Sequence, residues 1–202
     1  MSTSASHVKA ELRRSLREQR RLVPPDARRS AATRLVAHLT TLPMFRNSRR
    51  IASYVPTDGE IDTDPIVERA LQLGKRCYLP VLSRINHDRL WFAPRTTNTD
   101  YVLNRYGILE PLVASRLLVR AQDLDLILLP LVGFDEHGNR LGMGGGFYDR
   151  SLEFLTRRHR WRKPRLIGLA FDSQKVDTLP QESWDVPLDA VVTDRATYLM
   201  TT

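Results

Sequence analysis

The chain has 202 residues, of which 42% are apolar and 27% are charged, and its formal net charge is +8. This length accommodates one domain or at most two small ones, and the composition excludes a disordered chain. The longest nearly apolar stretch, residues 124–132, is far shorter than the ~20 residues of a membrane-spanning helix.

The cysteine content and the N-terminal sequence indicate the cellular compartment in which the protein is expected. Cys77 is the only cysteine, which excludes a disulfide framework and a cysteine-based metal site. The first fifteen residues contain no apolar run of the kind found in a secretory signal. These observations predict a protein of the reducing cytoplasm.

The positive charge is concentrated near the N-terminus. Residues 1–50 hold twelve Lys/Arg and three Asp/Glu, a balance of +9, whereas the remaining residues have a balance of −1. A second basic run lies at residues 157–165 and is offset by acids elsewhere. Such an excess favours an anionic partner, namely a nucleic acid, a nucleotide or a polycarboxylate metabolite. On charge alone, a solvated, arginine-rich helix face is the simpler interpretation.

The first half of the chain is predicted to alternate between helices and strands. Val8, Leu12 and Leu16 recur every four residues, which indicates an N-terminal helix. In chain order, this half is predicted to contain that helix, ended by Pro24 and Pro25, a helix with apolar positions between 31 and 42, a strand at 51–55, a helix from the N-cap Thr63 to the residue before Gly74, and strands at 77–82 and 90–93.

The second half continues the alternation. Residues 124–132 predict a strand that is buried on both faces, as in a parallel sheet. A helix at about 148–158 and strands at 166–171 and 190–193 are predicted after it. The whole pattern predicts an α/β fold, with one domain and a largely parallel sheet flanked by helices in a Rossmann-like three-layer arrangement.

Glycines cluster between the buried strand and the helix that follows it. Five of the ten glycines lie between positions 138 and 146. Such a loop lets backbone N–H groups approach a ligand closely and suits phosphate. No Lys-Ser/Thr pair closes it as in a Walker A loop, and Phe147 stands where a dinucleotide fingerprint needs Gly or Ala. The prediction that remains is a less common phosphate loop, with Arg140 placed to bind phosphate and Asp149 to hold Mg²⁺.

Residues 139–150 resemble the signature of the 5-formyltetrahydrofolate cyclo-ligase family. The resemblance extends over nearly the whole chain, through residues 54–63, 107–111, 167–171 with Gln174, and 184–189. It implies that residues 1–202 form a single 5-formyltetrahydrofolate cyclo-ligase domain. It also implies an enzyme that uses ATP and Mg²⁺ to close 5-formyltetrahydrofolate to 5,10-methenyltetrahydrofolate, with release of ADP and phosphate.

The resemblance also implies three sets of site residues. Asp149 and Asp189 match the ligands of Mg²⁺. Substrate contacts fall on Val55, Glu60, Tyr106, Met143 and Phe147. ATP contacts fall on Lys9, Arg13, Arg140, Leu141, Gly142, Met143, Gly144, Gly145, Gly146, Phe147 and Tyr148. Taken alone, Lys9 and Arg13 are more simply interpreted as two solvated cations. Asp189 can also be an ordinary acid at a strand end, and Tyr106 an ordinary core or surface aromatic side chain.

The partners expected from this resemblance are small molecules. The folate substrate can carry a polyglutamate tail, and surplus N-terminal arginines such as Arg20 and Arg21 are expected to pair with it. No nucleic acid or membrane partner is expected, and the chain is expected to be a monomer. Two alternatives stay open: a basic RNA-binding module, and a kinase of another small metabolite that uses the same nucleotide loop.

Overall fold

A computed structural model of the chain describes residues 2–83, 88–96, 99–158 and 163–200. The helices are α1 (Ser2–Arg21), α2 (Pro25–Thr41), α3 (Pro43–Arg46), α4 (Asp64–Gln72) and α5 (Phe147–Leu152). The strands are β1 (Arg50–Ala52), β2 (Arg76–Leu82), β3 (Leu90–Arg95), β4 (Tyr101–Leu103), β5 (Leu109–Pro111), β6 (Leu126–Pro130), β7 (Gly133–Phe134), β8 (Arg140–Leu141), β9 (Arg165–Ala170), β10 (Ala190–Thr193) and β11 (Thr197–Leu199).

A seven-stranded sheet in the order β11-β10-β9-β6-β1-β2-β3 organises the molecule. The five inner strands are parallel, and β3 and β11 close the two edges in antiparallel pairing. The prediction of a single-domain α/β fold with a largely parallel sheet is therefore confirmed. Ligands of such sheets bind beyond the carboxyl ends of the parallel strands.

The sheet is buried on both faces. Alternating residues of β6 point to opposite sides, so Leu126 and Leu128 pack with α2, α3 and α4, whereas Ile127 and Leu129 join a second core. The second core includes Leu152 of α5. This burial on both sides explains why the sequence of β6 is almost continuously apolar.

Helix α1 lies outside these two layers. Its Leu16 packs with Val132, Leu141 and Leu179 in a third, smaller cluster. Val132 precedes the β7–β8 hairpin and Leu141 is its last residue, and this hairpin follows the carboxyl end of β6. The packing of Leu16 therefore brings the basic helix to the sheet edge where a ligand is expected.

Several predicted boundaries differ from those observed. The strand predicted at 51–55 ends at Ala52, and the helix predicted at 148–158 ends at Leu152, followed by one 3-10 turn. Thr63 occupies the N-cap position of α4, but its hydroxyl donates to the carbonyl of Tyr54 instead of capping the helix. In the part of the chain that the structure describes, no helix combines the length and apolar character needed to cross a bilayer.

Candidate active site

Two cavities meet at the carboxyl end of β6. The polar cleft, of about 310 Å³, lies between α1, the glycine loop (residues 142–146) and the segment around Asp185. The apolar pocket, of about 200 Å³, lies between the glycine loop, the segment after β1 and the β4–β5 hairpin. The residues that line both cavities are Arg140, Gly142, Gly146 and Asp149. The glycine loop is thus the wall between two compartments of one site.

Helix α1 supplies the cations of the polar cleft. Lys9 Nζ lies 3.1 Å from Asp185 Oδ2, and Arg13 Nε donates to the carbonyl of Gly142 at 2.8 Å. The spacing of four residues places both side chains on one helix face, as the sequence predicted. Their contacts with Asp185 and the loop hold both cations against the cleft rather than in bulk solvent.

The glycine loop forms an open backbone turn in the cleft. Gly144 has a φ of +96° and Gly146 a φ of +65°, and residues other than glycine rarely adopt such backbone angles. Leu141 is buried and anchors the start of the loop, whereas Met143 is half exposed beside the apolar pocket. Gly145 lines neither cavity, and its carbonyl accepts a hydrogen bond from Arg150 at 2.6 Å.

A buried ion pair joins the two compartments. Arg140, with a side chain only 6% exposed, pairs with Asp149 and donates to the carbonyl of Val186 at 2.6 Å. The backbone N–H of Val186 lies 3.4 Å from the same Asp149 oxygen. Asp149 is therefore held at the point where both cavities meet, as expected for a group that acts on ligands in both.

The structure separates the two aspartates that were predicted to hold Mg²⁺. Asp189 precedes β10 at the amino end of the parallel strands and lines neither cavity. It accepts hydrogen bonds from Arg165 Nη1 and from the backbone N–H of Leu166, both at 2.7 Å. Asp185, four residues earlier, lines the polar cleft with Asp149 instead.

The apolar pocket brings together the predicted substrate residues. Val55, Glu60 and Tyr106 line it with Met143 and Phe147. The rings of Tyr106 and Phe147 meet edge to face, with centroids 5.6 Å apart and planes inclined at 71°. Tyr106 extends from the β4–β5 connection, so this hairpin forms one side of an aromatic pocket that suits a flat ring.

Glu60 is the acidic group of the apolar pocket. Its side chain is 7% exposed, and burial raises its pKa. A hydrogen bond from the Thr57 N–H, at 2.9 Å, and the nearby Arg20 oppose this rise. Burial, and then the Glu60 carboxylate, also raise the pKa of Tyr54 and of Tyr148, so both phenols stay protonated at neutral pH.

The three arginines at the end of α1 are not a free basic surface. Arg20 is 1% exposed, and Arg17 and Arg21 pair with the same carboxylate as Arg20, that of Asp58. The expectation that Arg20 and Arg21 meet a polyglutamate tail is wrong for Arg20, because a buried guanidinium cannot reach such a tail. Arg21 is half exposed but already paired.

The second basic run is also engaged where the structure describes it. Lys163 pairs with Asp125 at 2.5 Å and Arg165 with Asp189 at 2.7 Å. Arg158 lies over the ring of Phe154 and donates to the Lys163 carbonyl. Arg160 and Arg162, which the sequence placed in this run, lie outside the described residues.

Sequence reasoning missed several lining residues. Asn104 Nδ2 donates to Glu110 Oε1 at 2.8 Å, and this pair lines the apolar pocket. Trp184, 64% exposed, and Asp185 line the polar cleft. The motif at 184–189 was a usable signal, but two aspartates four residues apart in an irregular segment offer no periodicity to choose between them.

A further cavity of about 450 Å³ lies around Arg89, Trp91 and Arg120. It is larger than either compartment of the site, yet only Leu90 lines both this cavity and the apolar pocket. None of the residues predicted from the resemblance lines it, so size alone does not mark the functional site.

The parallel sheet and the paired compartments at its carboxyl edge define an α/β enzyme with a two-part site. The chain belongs to the 5-formyltetrahydrofolate cyclo-ligase family, whose model matches residues 5–194. The predicted family membership and the ligase class are thus confirmed, and the family name is consistent with a folate substrate.

Individual relatives agree with the family match. The 5-formyltetrahydrofolate cyclo-ligase of Escherichia coli K12 is 39% identical over 180 residues, which are 88% of this chain and 96% of that protein. The solved structure of the Aquifex aeolicus 5,10-methenyltetrahydrofolate synthetase superposes with a TM-score of 0.79 at 30% identity, covering 96% of this chain and 94% of that one. The synthetase from Mycoplasma pneumoniae gives a TM-score of 0.70 at 26% identity, with 92% and 98% covered.

Proposed function

We propose that this protein uses ATP and Mg²⁺ to convert 5-formyltetrahydrofolate into 5,10-methenyltetrahydrofolate, with release of ADP and phosphate. The observation that carries the proposal is the shared wall between the polar cleft and the apolar pocket. A phosphate chain in the first and a flat pterin in the second would meet at Gly142, Gly146 and Asp149. The family membership supports the folate, and the glycine loop with the neighbouring cations Lys9, Arg13 and Arg140 supports the nucleotide.

The chemistry requires the two ligands to touch. A formamide carbonyl is a poor electrophile, so its oxygen first takes the γ-phosphoryl group and ADP leaves. The N10 amine then attacks the activated carbon and loses its proton, and the C–O bond breaks as phosphate departs. Alignment of the formyl oxygen with the γ-phosphorus and screening of negative charge provide most of the catalysis in such a transfer.

The residues of the site divide this work. Lys9 and Arg13 are placed to bind the phosphate chain, and the backbone of Gly144 can approach it without a side chain in the way. Tyr106 and Phe147 offer ring faces and edges to the pterin. Glu60, held inside the apolar pocket, is placed to accept hydrogen bonds from N–H groups on the pterin edge.

The donor set of the polar cleft fits a magnesium ion that is bound largely through phosphate. Asp149 and Asp185 present carboxylates to the cleft. Among the described residues, no group of three or more His, Cys, Asp or Glu side chains is arranged to hold a metal. Mg²⁺ commonly uses one or two carboxylates together with substrate phosphates and water. When bound, it would neutralise charge on the phosphate oxygens.

The alternatives explain less of the structure. A kinase of another metabolite would use the same polar cleft but would not require the family's folate. An RNA-binding module would draw on the cations of the N-terminal helix, but Arg20 is buried and Arg17 and Arg21 are paired with Asp58. The polyglutamate tail, the monomeric state and the cytoplasmic location stay predictions.

One absorbance assay tests the proposal. Purified protein is mixed with 5-formyltetrahydrofolate, ATP and Mg²⁺, and the absorbance of the methenyl product is followed together with phosphate release. Equal rates of methenyl and phosphate formation, both dependent on ATP, are expected. Release of ADP without methenyl product would favour a different kinase. Salt-sensitive RNA binding without turnover would favour the RNA-binding alternative.

Lys9→Ala is expected to raise the KM for ATP about tenfold, the equivalent of one charge-assisted contact, and to leave the KM for the folate unchanged. The reason is that Lys9 lines only the polar cleft. Arg14→Ala is the matched control, since Arg14 is an exposed cation on the same helix. Steady-state kinetics with each substrate varied in turn measures both constants. An unchanged KM for ATP would show that Lys9 does not bind ATP and only pairs with Asp185.

Gly144→Val is expected to weaken ATP binding more than it lowers stability. Gly144 has a φ of +96°, which valine resists, and a Cβ there would lie 3.8 Å from the Arg13 guanidinium, inside the cleft. Calorimetric titration with a non-hydrolysable ATP analogue and a thermal melt measure the two effects. Unchanged affinity would remove the loop from the nucleotide site.

A further inference from the structure

Helix α1 contacts both compartments of the site. Lys9 and Arg13 line the polar cleft, whereas Arg20, next to the last residue of the helix, is buried beside Glu60 of the apolar pocket. A buried guanidinium is costly unless its N–H groups are paired, so the partners of Arg20 indicate its role.

Four contacts hold the Arg20 guanidinium. Nη1 donates to the carbonyl of Leu131 at 3.1 Å, Nε to the carbonyl of Asp58 at 3.1 Å, and Nη2 to Asp58 Oδ2 at 3.0 Å. Nη1 also lies 3.7 Å from Glu60 Oε1. Leu131 immediately follows β6, so Arg20 joins the end of the central strand to the turn that carries Glu60.

That turn has little freedom. Asp58 has a φ of +50° and is the one non-glycine residue with positive φ in the ranges that the structure describes. Gly59 follows with a φ of +78°. The Glu60 N–H donates to the Thr57 carbonyl, and the Thr57 N–H donates to Glu60 Oε2, both at 2.9 Å. Such a strained turn persists only where surrounding contacts fix it, and Arg20 supplies three of them.

We propose that Arg20 is a positioning residue, which clamps the turn at residues 57–60 onto the end of β6 and thereby fixes the position of the Glu60 side chain in the apolar pocket. This inference rests on the proposed function, because the position of Glu60 matters for turnover only if the apolar pocket binds the folate. Arg20 itself lines neither compartment and acts only through Glu60.

The charged and titratable groups around Glu60 determine in which direction its pKa should change in each variant. Arg20 faces it from α1, Asp58 from its own turn, Tyr54 from the segment after β1, and Tyr148 from α5. Burial raises the pKa of Glu60, Arg20 lowers it, and Asp58 raises it. Removal of the Arg20 charge should therefore raise the pKa of Glu60, whereas removal of the Asp58 charge should lower it.

Three variants test the inference in the methenyl-forming assay. In Arg20→Gln, we expect the KM for the folate to rise about tenfold, the KM for ATP to stay unchanged, and the acid limb of kcat/KM to move up by about one pH unit. In Asp58→Asn, the acid limb should move down. Arg17→Gln is the control: it removes a 2.7 Å pair with Asp58 without touching Glu60, and both constants and the acid limb should stay as in the wild type.

Opposite shifts in the first two variants would distinguish positioning from a general loss of stability, which would not reverse the sign. If the acid limbs of Arg20→Gln and Asp58→Asn are unchanged, or shift in the same direction, the inference is overturned. The proposed function still stands in that case, provided that the wild-type protein turns over. If Arg20→Gln is isolated unfolded, Asp58→Asn decides, and an acid limb that does not move down overturns the inference. A wild-type protein without turnover would overturn both proposals.

Discussion

Asp149→Asn is expected to lower turnover about 100-fold while leaving the fold intact. The asparagine keeps the size of the side chain and its hydrogen bonds with Arg140 and Val186, but it removes the negative charge where the two compartments meet. A neutral amide is a much poorer ligand for Mg²⁺. Initial rates across a range of Mg²⁺ concentrations, together with far-ultraviolet circular dichroism, measure the two effects, and added Mg²⁺ is expected to recover part of the rate.

Asp189→Asn is the matched comparison for this experiment. Its carboxylate accepts from Arg165 and from the Leu166 backbone, so its replacement is expected to cost about 2 kcal/mol of stability without changing the dependence on Mg²⁺. A wild-type rate for Asp149→Asn at low Mg²⁺ would rule out Asp149 as a ligand. A steeper Mg²⁺ requirement for Asp189→Asn would restore the assignment that the family resemblance implied.

Gly168→Val is expected to destabilise the protein by about 3 kcal/mol. Gly168 lies in β9, inside the sheet, and a Cβ there would come within 2.6 Å of Leu131 and 2.8 Å of Leu188. Both contacts are with leucine methyl groups in a packed core, so the two side chains have little room to turn away and the core has to repack. The expected fall in melting temperature is roughly 6–12 °C for a chain of this size.

Gly142→Ala is the control for this prediction. A Cβ at Gly142 would meet no atom within 4 Å, and stability should change by less than about 0.5 kcal/mol. Calorimetric melts of the two variants in parallel separate overpacking of the core from a general effect of replacing glycine. Equal melting temperatures would show that the β9 environment adapts, and the packing argument for Gly168 would be wrong.

Most strands of the central sheet could be predicted from the sequence, because the patterns that indicate them are local. Short apolar runs predict β2, β6 and β9. Strands β7 and β8 have only two residues each, too few to show any period, and they were not predicted. The helix predicted at 148–158 was too long because its apolar positions continue into a 3-10 turn.

The candidate site was predicted where chemistry and sequence coincide, as in the glycine loop. It was not predicted where distant segments decide the role of a residue. Arginines on an N-terminal helix are normally solvated, and only the folded chain shows that Arg20 is buried against Leu131. The choice between Asp185 and Asp189 likewise depends on which one faces Lys9, a contact across 176 positions of sequence.

Those long separations govern when the site forms during synthesis. Helix α1 is synthesised before the segments that it contacts, and its contacts with Leu131, Gly142 and Asp185 span 111, 129 and 176 positions. Loops of that length close late, after the sheet has assembled. A nascent chain therefore cannot complete the contacts of its basic helix until Asp185 has been made, and a product truncated before that residue carries an incomplete cleft.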